Sequence, residues 1–159
     1  MKILIATESH FPGYGGPYTA ISQNAKYLYK NDINFKLIYK QTDLFKYNLN
    51  LKEIISNFDI IHVYGIWTPF SIRVCNQAFK LNKKVIISTL GALEPWSLNQ
   101  KKWKKKIAWN LYQRKILNNA TAIHATSADE KKHLLELGIK SKIEVLLHGI
   151  EIQDLQNKK

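Results

Sequence analysis

Six short segments of the chain are predominantly apolar, with β-branched or aromatic residues and at most an isolated charged residue or histidine: 2–6, 35–39, 60–64, 84–89, 121–125 and 143–147. Runs of this length without polar alternation predict strands buried on both faces of a parallel sheet. The intervening stretches carry helical spacing instead. In 17–30, Ile21, Ala25 and Leu28 recur at three- and four-residue steps and form one stripe. Segment 69–81 opens on Pro69, which a first helical turn accepts. In 100–117, Trp103, Ile107 and Leu111 step by four beside Ala108, Tyr112 and Ile116, which predicts one helix with a broad apolar face. The last helix is bracketed by Ser127 and Glu130 in capping-box spacing and by Gly138, a left-handed stop after Leu137. Six strands alternating with helices predict a Rossmann-like α/β fold. Its sheet is doubly wound and mostly parallel, helices lie on both faces, and crossovers are right-handed.

Composition narrows this picture. A length of 159 residues fits one domain, expected over 1–150, with 151–159 a polar tail too poor in apolar residues to fold alone. Hydrophobic residues make up 45% and charged residues 23%, which excludes a disordered chain. Subtracting 12 acidic from 24 basic residues leaves +12, a bias toward anionic partners. The single cysteine, Cys75, excludes an intramolecular disulfide and a thiolate zinc cluster and fits a reducing compartment, so a cytoplasmic location is expected. The amino terminus meets Glu8 too early for a signal peptide. The central uncharged run 60–72 is too short to span a bilayer.

In an open parallel sheet, ligands bind at the carboxyl ends of the strands. After the first strand, Gly13, Gly15 and Gly16 cluster ahead of a helix. Two readings stand side by side there: a flexible strand-to-helix turn, and backbone amides aimed at an anion. The cluster matches neither the dinucleotide fingerprint nor a Walker loop. After the third strand, His62 reads first as a satisfied core histidine. Trp67 and Phe70 read as core or pocket wall, with a carbohydrate-facing rim aromatic as the sharper alternative. After the fourth strand, Gly91, Glu94 and Trp96 combine a glycine, a carboxylate and an indole, a mixture suited to a sugar. A solvated loop carboxylate is the other reading of Glu94.

The run Lys101, Lys102, Trp103, Lys104, Lys105 and Lys106 is the densest concentration of charge. A solvated helix face is its first reading. An anionic membrane surface comes second, since lysines flanking Trp103 and Trp109 suit an interface. Nucleic acid comes last, because no recognition motif accompanies the charge.

Five stretches in order make the chain resemble the amino-terminal half of a family-four glycosyltransferase of the GT-B type. They are residues 1–5 leading into Pro12-Gly13-Tyr14-Gly15-Gly16, His62-Val63-Tyr64-Gly65-Ile66-Trp67, Gly91-Ala92-Leu93-Glu94-Pro95-Trp96-Ser97-Leu98, Ala125-Thr126-Ser127-Ala128-Asp129-Glu130, and Val145-Leu146-Leu147-His148-Gly149-Ile150-Glu151. Leu90 stands where relatives often have arginine, and Tyr64 where a second histidine is common. The resemblance implies an acceptor-binding lobe facing a separate donor lobe that holds a nucleotide-sugar, which is a substrate, with no cofactor and no metal. It implies that Gly15 and Gly16 approach the donor diphosphate across the cleft and that Gly91, Glu94 and Trp96 lie near the reacting sugars. His10 and Trp67, in the same strand-exit stretches, join them as expected acceptor or sugar contacts. Transfer with retention onto a glycan or lipid-linked acceptor at the inner membrane face is expected, with the 101–106 run facing the membrane. The chain is expected to be inactive until a donor lobe, separately encoded or continuous, completes it. A non-catalytic binding module or remnant of a truncated gene is the alternative.

Overall fold

The computed structural model describes residues 1–8, 10, 12–40 and 50–147, with the side chain of Tyr14 excepted. The expected polar tail and the stretch from His148 onward lie outside the described residues. Strands β1 (Lys2–Thr7), β2 (Asn34–Tyr39), β3 (Ile60–Tyr64), β4 (Lys84–Ser88), β5 (Ala122–Ala125) and β6 (Ile143–Val145) form one sheet. Its order is β2-β1-β3-β4-β5-β6 and every pairing is parallel. The predicted strands therefore all form, with ends shifted by a residue or two. The exception in kind is β6, which stops at Val145 because Leu146 and Leu147 are exposed rather than buried.

The chain runs from β1 out to β2 and then returns past β1 to β3. That reversal puts the topological switch point at the carboxyl ends of β1 and β3, where an open α/β sheet leaves a crevice. Helix α1 (Gly16–Lys30) connects β1 to β2 on one face. There Ile21 and Leu28 pack over Ile3, Ile5, Phe35 and Tyr64. On the other face, the alternate strand residues Leu4, Ala6, Ile61, Val63, Val85, Ile87, Ile123 and Ala125 form the larger core. Phe70, Val74 and Ala78 of α3 (Pro69–Lys80) complete it, with Leu134 of α7 (Ala128–Glu136). Each fully buried Leu, Ile or Phe contributes about 1.5–3 kcal/mol.

Two segments depart from the sequence expectation. Helix α2 (Leu51–Ser56) is too short to show a period, and its signal is a cap: the Asn50 side chain accepts from the Lys52 amide. The single helix expected over 100–117 is divided. Helix α4 (Pro95–Asn99) ends before Lys101, whose φ of 52° breaks the path, and α5 (Lys102–Ala108) then begins. A π turn over Trp109–Gln113 separates α5 from α6 (Arg114–Asn119). The wider turn brings Gln113 and Ile116 into the interior. Of the two predicted apolar stripes, the one through Ile116 packs inward, while Trp103, Ile107 and Leu111 remain 78%, 57% and 73% exposed.

Candidate functional site

The loop leaving β1 reaches α1 through a short 3-10 turn, Pro12–Tyr14. Gly15 precedes the helix with φ 70° and ψ −139°, a conformation a residue with a Cβ adopts only under strain. A Cβ built on Gly15 or Gly16 meets no atom of the described residues within 4 Å, so among them the space before the helix is open. Among the described residues no side chain caps this helix start, and no acidic residue lies in its first turn. Its uncapped amides and the positive end of the helix dipole therefore face the switch point, an arrangement suited to an anion. Beside it, Glu8 Oε1 pairs with Lys40 Nζ at 2.9 Å. Glu8 Oε2 and His10 Nδ1 are buried with no hydrogen-bond partner among the described residues. The His10 ring packs against Tyr18 at 4.8 Å, and burial holds its pKa below the usual 6.5, which keeps the imidazole neutral at neutral pH.

The β3 exit turns through Gly65 at φ 84° and Trp67 at φ 74°. Trp67 is held on three sides: its amide donates to Gln113 Oε1 at 3.1 Å, its indole N–H donates to the Ala92 carbonyl at 3.3 Å, and Lys105 Nζ lies 5.8 Å from its ring. It is a half-buried wall joining the β3 and β4 exits to α5. At the β4 exit, Leu90 and Gly91 both have positive φ, 52° and 72°, and fold the loop tightly over the strand end. Glu94 Oε2 lies 2.8 Å from His133 Nδ1 of α7, off the direction of a formed hydrogen bond, so the contact attracts through charge when His133 is protonated. Trp96, on the first turn of α4, is 66% exposed.

One residue knits these loops together. Glu130 is only 2% exposed. Its Oε1 accepts from Thr89 Oγ1 at 2.6 Å and from the Gly91 amide at 2.7 Å. Its Oε2 accepts from the Thr126 amide at 2.7 Å and from Thr126 Oγ1 at 2.9 Å. Ser127 caps α7 as predicted, accepting from the Glu130 amide at 3.0 Å. The reciprocal half of the capping box is replaced by a bridge between the β4 and β5 exits. Burial alone raises the Glu130 pKa, but the donations from Thr126, Thr89 and Gly91 outweigh it and hold the carboxyl below its ordinary value.

A polar row crosses the sheet just inside the strand ends. Thr7, Tyr64, Ser88 and His124 are register partners on β1, β3, β4 and β5. His124 Nε2 lies 2.8 Å from the Leu146 carbonyl, which only accepts, so this nitrogen carries a proton. In neutral His124 the other nitrogen, Nδ1, then accepts from Ser88 Oγ at 2.8 Å. Ser88 in turn accepts from His62 Nε2 at 2.7 Å. His62 is thus the hydrogen-bonded histidine that its apolar neighbours suggested. Burial pushes the Tyr64 hydroxyl up to about 12, so it acts as a neutral hydroxyl, bonded to Asn24 of α1.

The structure places His10, Gly15 and Gly16 together at the β1 exit. It joins Trp67, Gly91 and Glu94 into one hydrogen-bonded and packed unit at the β3 and β4 exits, with Trp96 on its outer rim. Of the basic run, Lys101, Lys102, Lys104 and Lys106 are exposed, whereas Lys105 turns inward to donate to the Ser97 carbonyl at 2.6 Å. The bridging role of Glu130 and the parts played by Ser88, His124 and Gln113 were not foreseen. No group of three His, Cys, Asp or Glu residues arranged to hold a metal ion occurs among the described residues.

The sequence profile of Glycosyltransferase Family 4 matches residues 14–154. None of the curated protein sequences matches the chain. Among solved structures, it is similar to Anabaena HepE in complex with UDP-glucose, at 17% identity and a TM-score of 0.61. That match covers 96% of this chain and 45% of the other. The HepE structure with UDP and glucose gives 17% identity and a TM-score of 0.60, covering 96% and 46%. The chain thus spans about half the length of these structures, and their likeness carries the Rossmann-like α/β fold of a GT-B lobe.

Proposed function

This chain belongs to glycosyltransferase family 4, and from that premise we propose that it is the acceptor-binding lobe of a retaining glycosyltransferase. The complete enzyme passes a sugar from a nucleotide-sugar to a glycan or lipid-linked acceptor in the cytoplasm, at the inner membrane face. A donor lobe, in the same polypeptide or separately encoded, holds most of the nucleotide. The observation that carries this reading is the open glycine turn at the switch point, where an uncapped helix start stands beside two buried polar atoms that have no partner among the described residues.

Transfer breaks the bond between the anomeric carbon and the diphosphate oxygen. It forms a bond to the acceptor hydroxyl oxygen, whose proton is lost, and leaves additional negative charge on the departing diphosphate. The first-turn amides of α1, those of Gly16 and Tyr18, are placed to receive that charge without reorganising, while the Gly15 amide is held by the Pro12 carbonyl. Neutral His10 and the unpaired oxygen of Glu8 offer hydrogen-bonding groups beside it. Gly91 keeps the β4 loop low enough for a sugar to approach, and Trp96 offers a stacking surface at the rim. Glu94 reaches the acceptor only by leaving His133.

A nucleotide-sugar transfer assay tests the assignment. The chain alone gives little or no turnover, and a donor lobe supplied in trans restores it. Gly16→Trp abolishes the restored activity without unfolding the lobe, because Gly16 has helical φ and open space around its Cβ position. Robust turnover by the chain alone contradicts the half-enzyme reading. Undiminished transfer by the tryptophan variant contradicts the role given to the glycine turn.

A further inference from the structure

The helices divide unequally between the two faces of the sheet. Residues of α2, α3, α6 and α7 all join the larger core, whereas α1 alone among the described helices packs in the smaller cluster on the other face. The flank of α1 and the adjoining face of β3 therefore meet in an open groove of about 260 Å3. That volume lies just under the range of about 300–1,000 Å3 that takes drug-sized ligands, and the groove extends along the helix. Ile5 and Leu28 give it an apolar lining, and Asn24, Asn31, His62 and Tyr64 give it polar groups. Charged residues make up 23% of the chain, yet no lysine, arginine, aspartate or glutamate lines this groove. Its ligand is therefore uncharged, because nothing in the lining would compensate a buried charge.

The polar groups of the groove are only partly committed. Asn24 Nδ2 donates to the Tyr64 hydroxyl at 2.5 Å. Tyr64 is only 2% exposed, and burial pushes its pKa up to about 12, so the hydroxyl keeps its proton. That proton and Asn24 Oδ1 have no partner among the described residues, which sets an open donor beside an open acceptor. The His62 ring stacks on Tyr64 at 4.2 Å and is held by Ser88 at 2.7 Å, so this wall is fixed before any ligand arrives. Asn31 Nδ2 donates to the Tyr27 carbonyl at 2.7 Å, which leaves its own Oδ1 without a partner among the described residues. Seven residues separate the two asparagines, so they stand about 10 Å apart along the helix axis. Between them Tyr27, 47% exposed, adds an aromatic surface. Vicinal hydroxyls each donate and accept, and the C–H face of a sugar ring packs on aliphatic and aromatic side chains. We propose that this groove binds a neutral glycan of at least two rings, with Tyr64 and Asn24 taking adjacent hydroxyls of one ring and Asn31 a hydroxyl of the next. It is a second carbohydrate site on the lobe, beside α1 on the sheet face and apart from the glycine turn.

Nuclear magnetic resonance titration of the chain with maltose, cellobiose and lactose tests the inference, read at backbone amides and at the side-chain amides of Asn24 and Asn31. At least one disaccharide gives saturable shifts at Asn24, Tyr27 and Asn31 at millimolar concentration. It binds about tenfold more tightly than glucose, whose single ring meets one asparagine. Tyr64→Phe and Asn24→Ala each weaken this binding about tenfold. Asn31→Ala brings the disaccharide down to the level of glucose. Tyr64→Phe keeps the buried ring and Asn31 is exposed, so circular dichroism is unchanged in both variants. Adenosine, neutral but with a flat base, leaves the groove amides unshifted. Any of three results overturns the inference: no saturable shift at the groove with any of these sugars, undiminished binding by both Tyr64→Phe and Asn24→Ala, or tighter binding of adenosine than of the disaccharides at the same amides. The glycine turn reports through its own amides, so absence of binding at Asn24 and Asn31 leaves the transferase reading standing, and the converse also holds.

Discussion

Replacing Glu130 by Gln removes one charge and almost no volume, which isolates what the buried carboxylate does. A glutamine can keep its oxygen toward Thr89 and the Gly91 amide, the pair at 2.6 and 2.7 Å. Its amino group then faces the Thr126 amide, a donor against a donor. One buried N–H is orphaned, at about 1–3 kcal/mol, and the two surviving bonds lose charge assistance, about 1 kcal/mol each. Relief of a buried charge offsets part of this, so the net loss is about 2–4 kcal/mol. For a chain of this size each kcal/mol lowers the melting temperature by about 2–4 °C, so the variant melts roughly 10 °C lower. The sign with pH follows from the lowered pKa. Glu130 contributes its stability fully above its ordinary value of 4.5 and loses it as pH falls through the lower folded value. The gap between the parent and Glu130→Gln is therefore constant near neutral pH and narrows in acid. Thermal unfolding followed by circular dichroism across that range measures it. A variant melting within about 2 °C of the parent, or a gap that does not narrow in acid, refutes the bridging role.

Ser88→Ala leaves His62 Nε2 and His124 Nδ1 without their shared partner and lowers stability by about 1–3 kcal/mol in urea denaturation. Gly15→Ala costs about 1–3 kcal/mol through backbone strain alone, because no neighbour crowds the position. Gly16→Ala, with helical φ, changes stability by less than about 0.5 kcal/mol. Cys75 is buried and its thiol is pushed up to about 12, so a thiol reagent labels the native protein only through unfolding. Its labelling rate then rises with each destabilising variant.

The sheet was legible because its central strands β1, β3 and β4 are Ile- and Val-rich and largely buried on both faces, and such runs stand out without any knowledge of partners, whereas the edge strands β2 and β6 expose Lys36 and Glu144. The caps of α7 and the proline opening α3 were legible for the same local reason. The break at Lys101 and the π turn at Trp109–Gln113 were not, since the 100–117 pattern reads as one continuous amphipathic helix. Only tertiary packing decides that Gln113 turns inward to receive the Trp67 amide. Glu130 shows where local reading stops. Its capping-box position announces a helix start, but its carboxylate spends its hydrogen bonds on Thr89 and Gly91, some forty residues away in sequence. Ser88 and His124 were hidden likewise, because their pairing depends on the register between β4 and β5. The glycine turn was visible as composition, and its openness only as geometry.

The glycine turn is tested most directly by a nuclear magnetic resonance titration of the chain with inorganic pyrophosphate, the charged group that a nucleotide-sugar would present there, read at individual backbone amides. Shift changes centred on Gly15, Gly16 and Tyr18, saturable at millimolar ligand and absent in Gly16→Trp, are the result this account predicts. Shift changes confined to other surfaces, or an unchanged response in the tryptophan variant, contradict it.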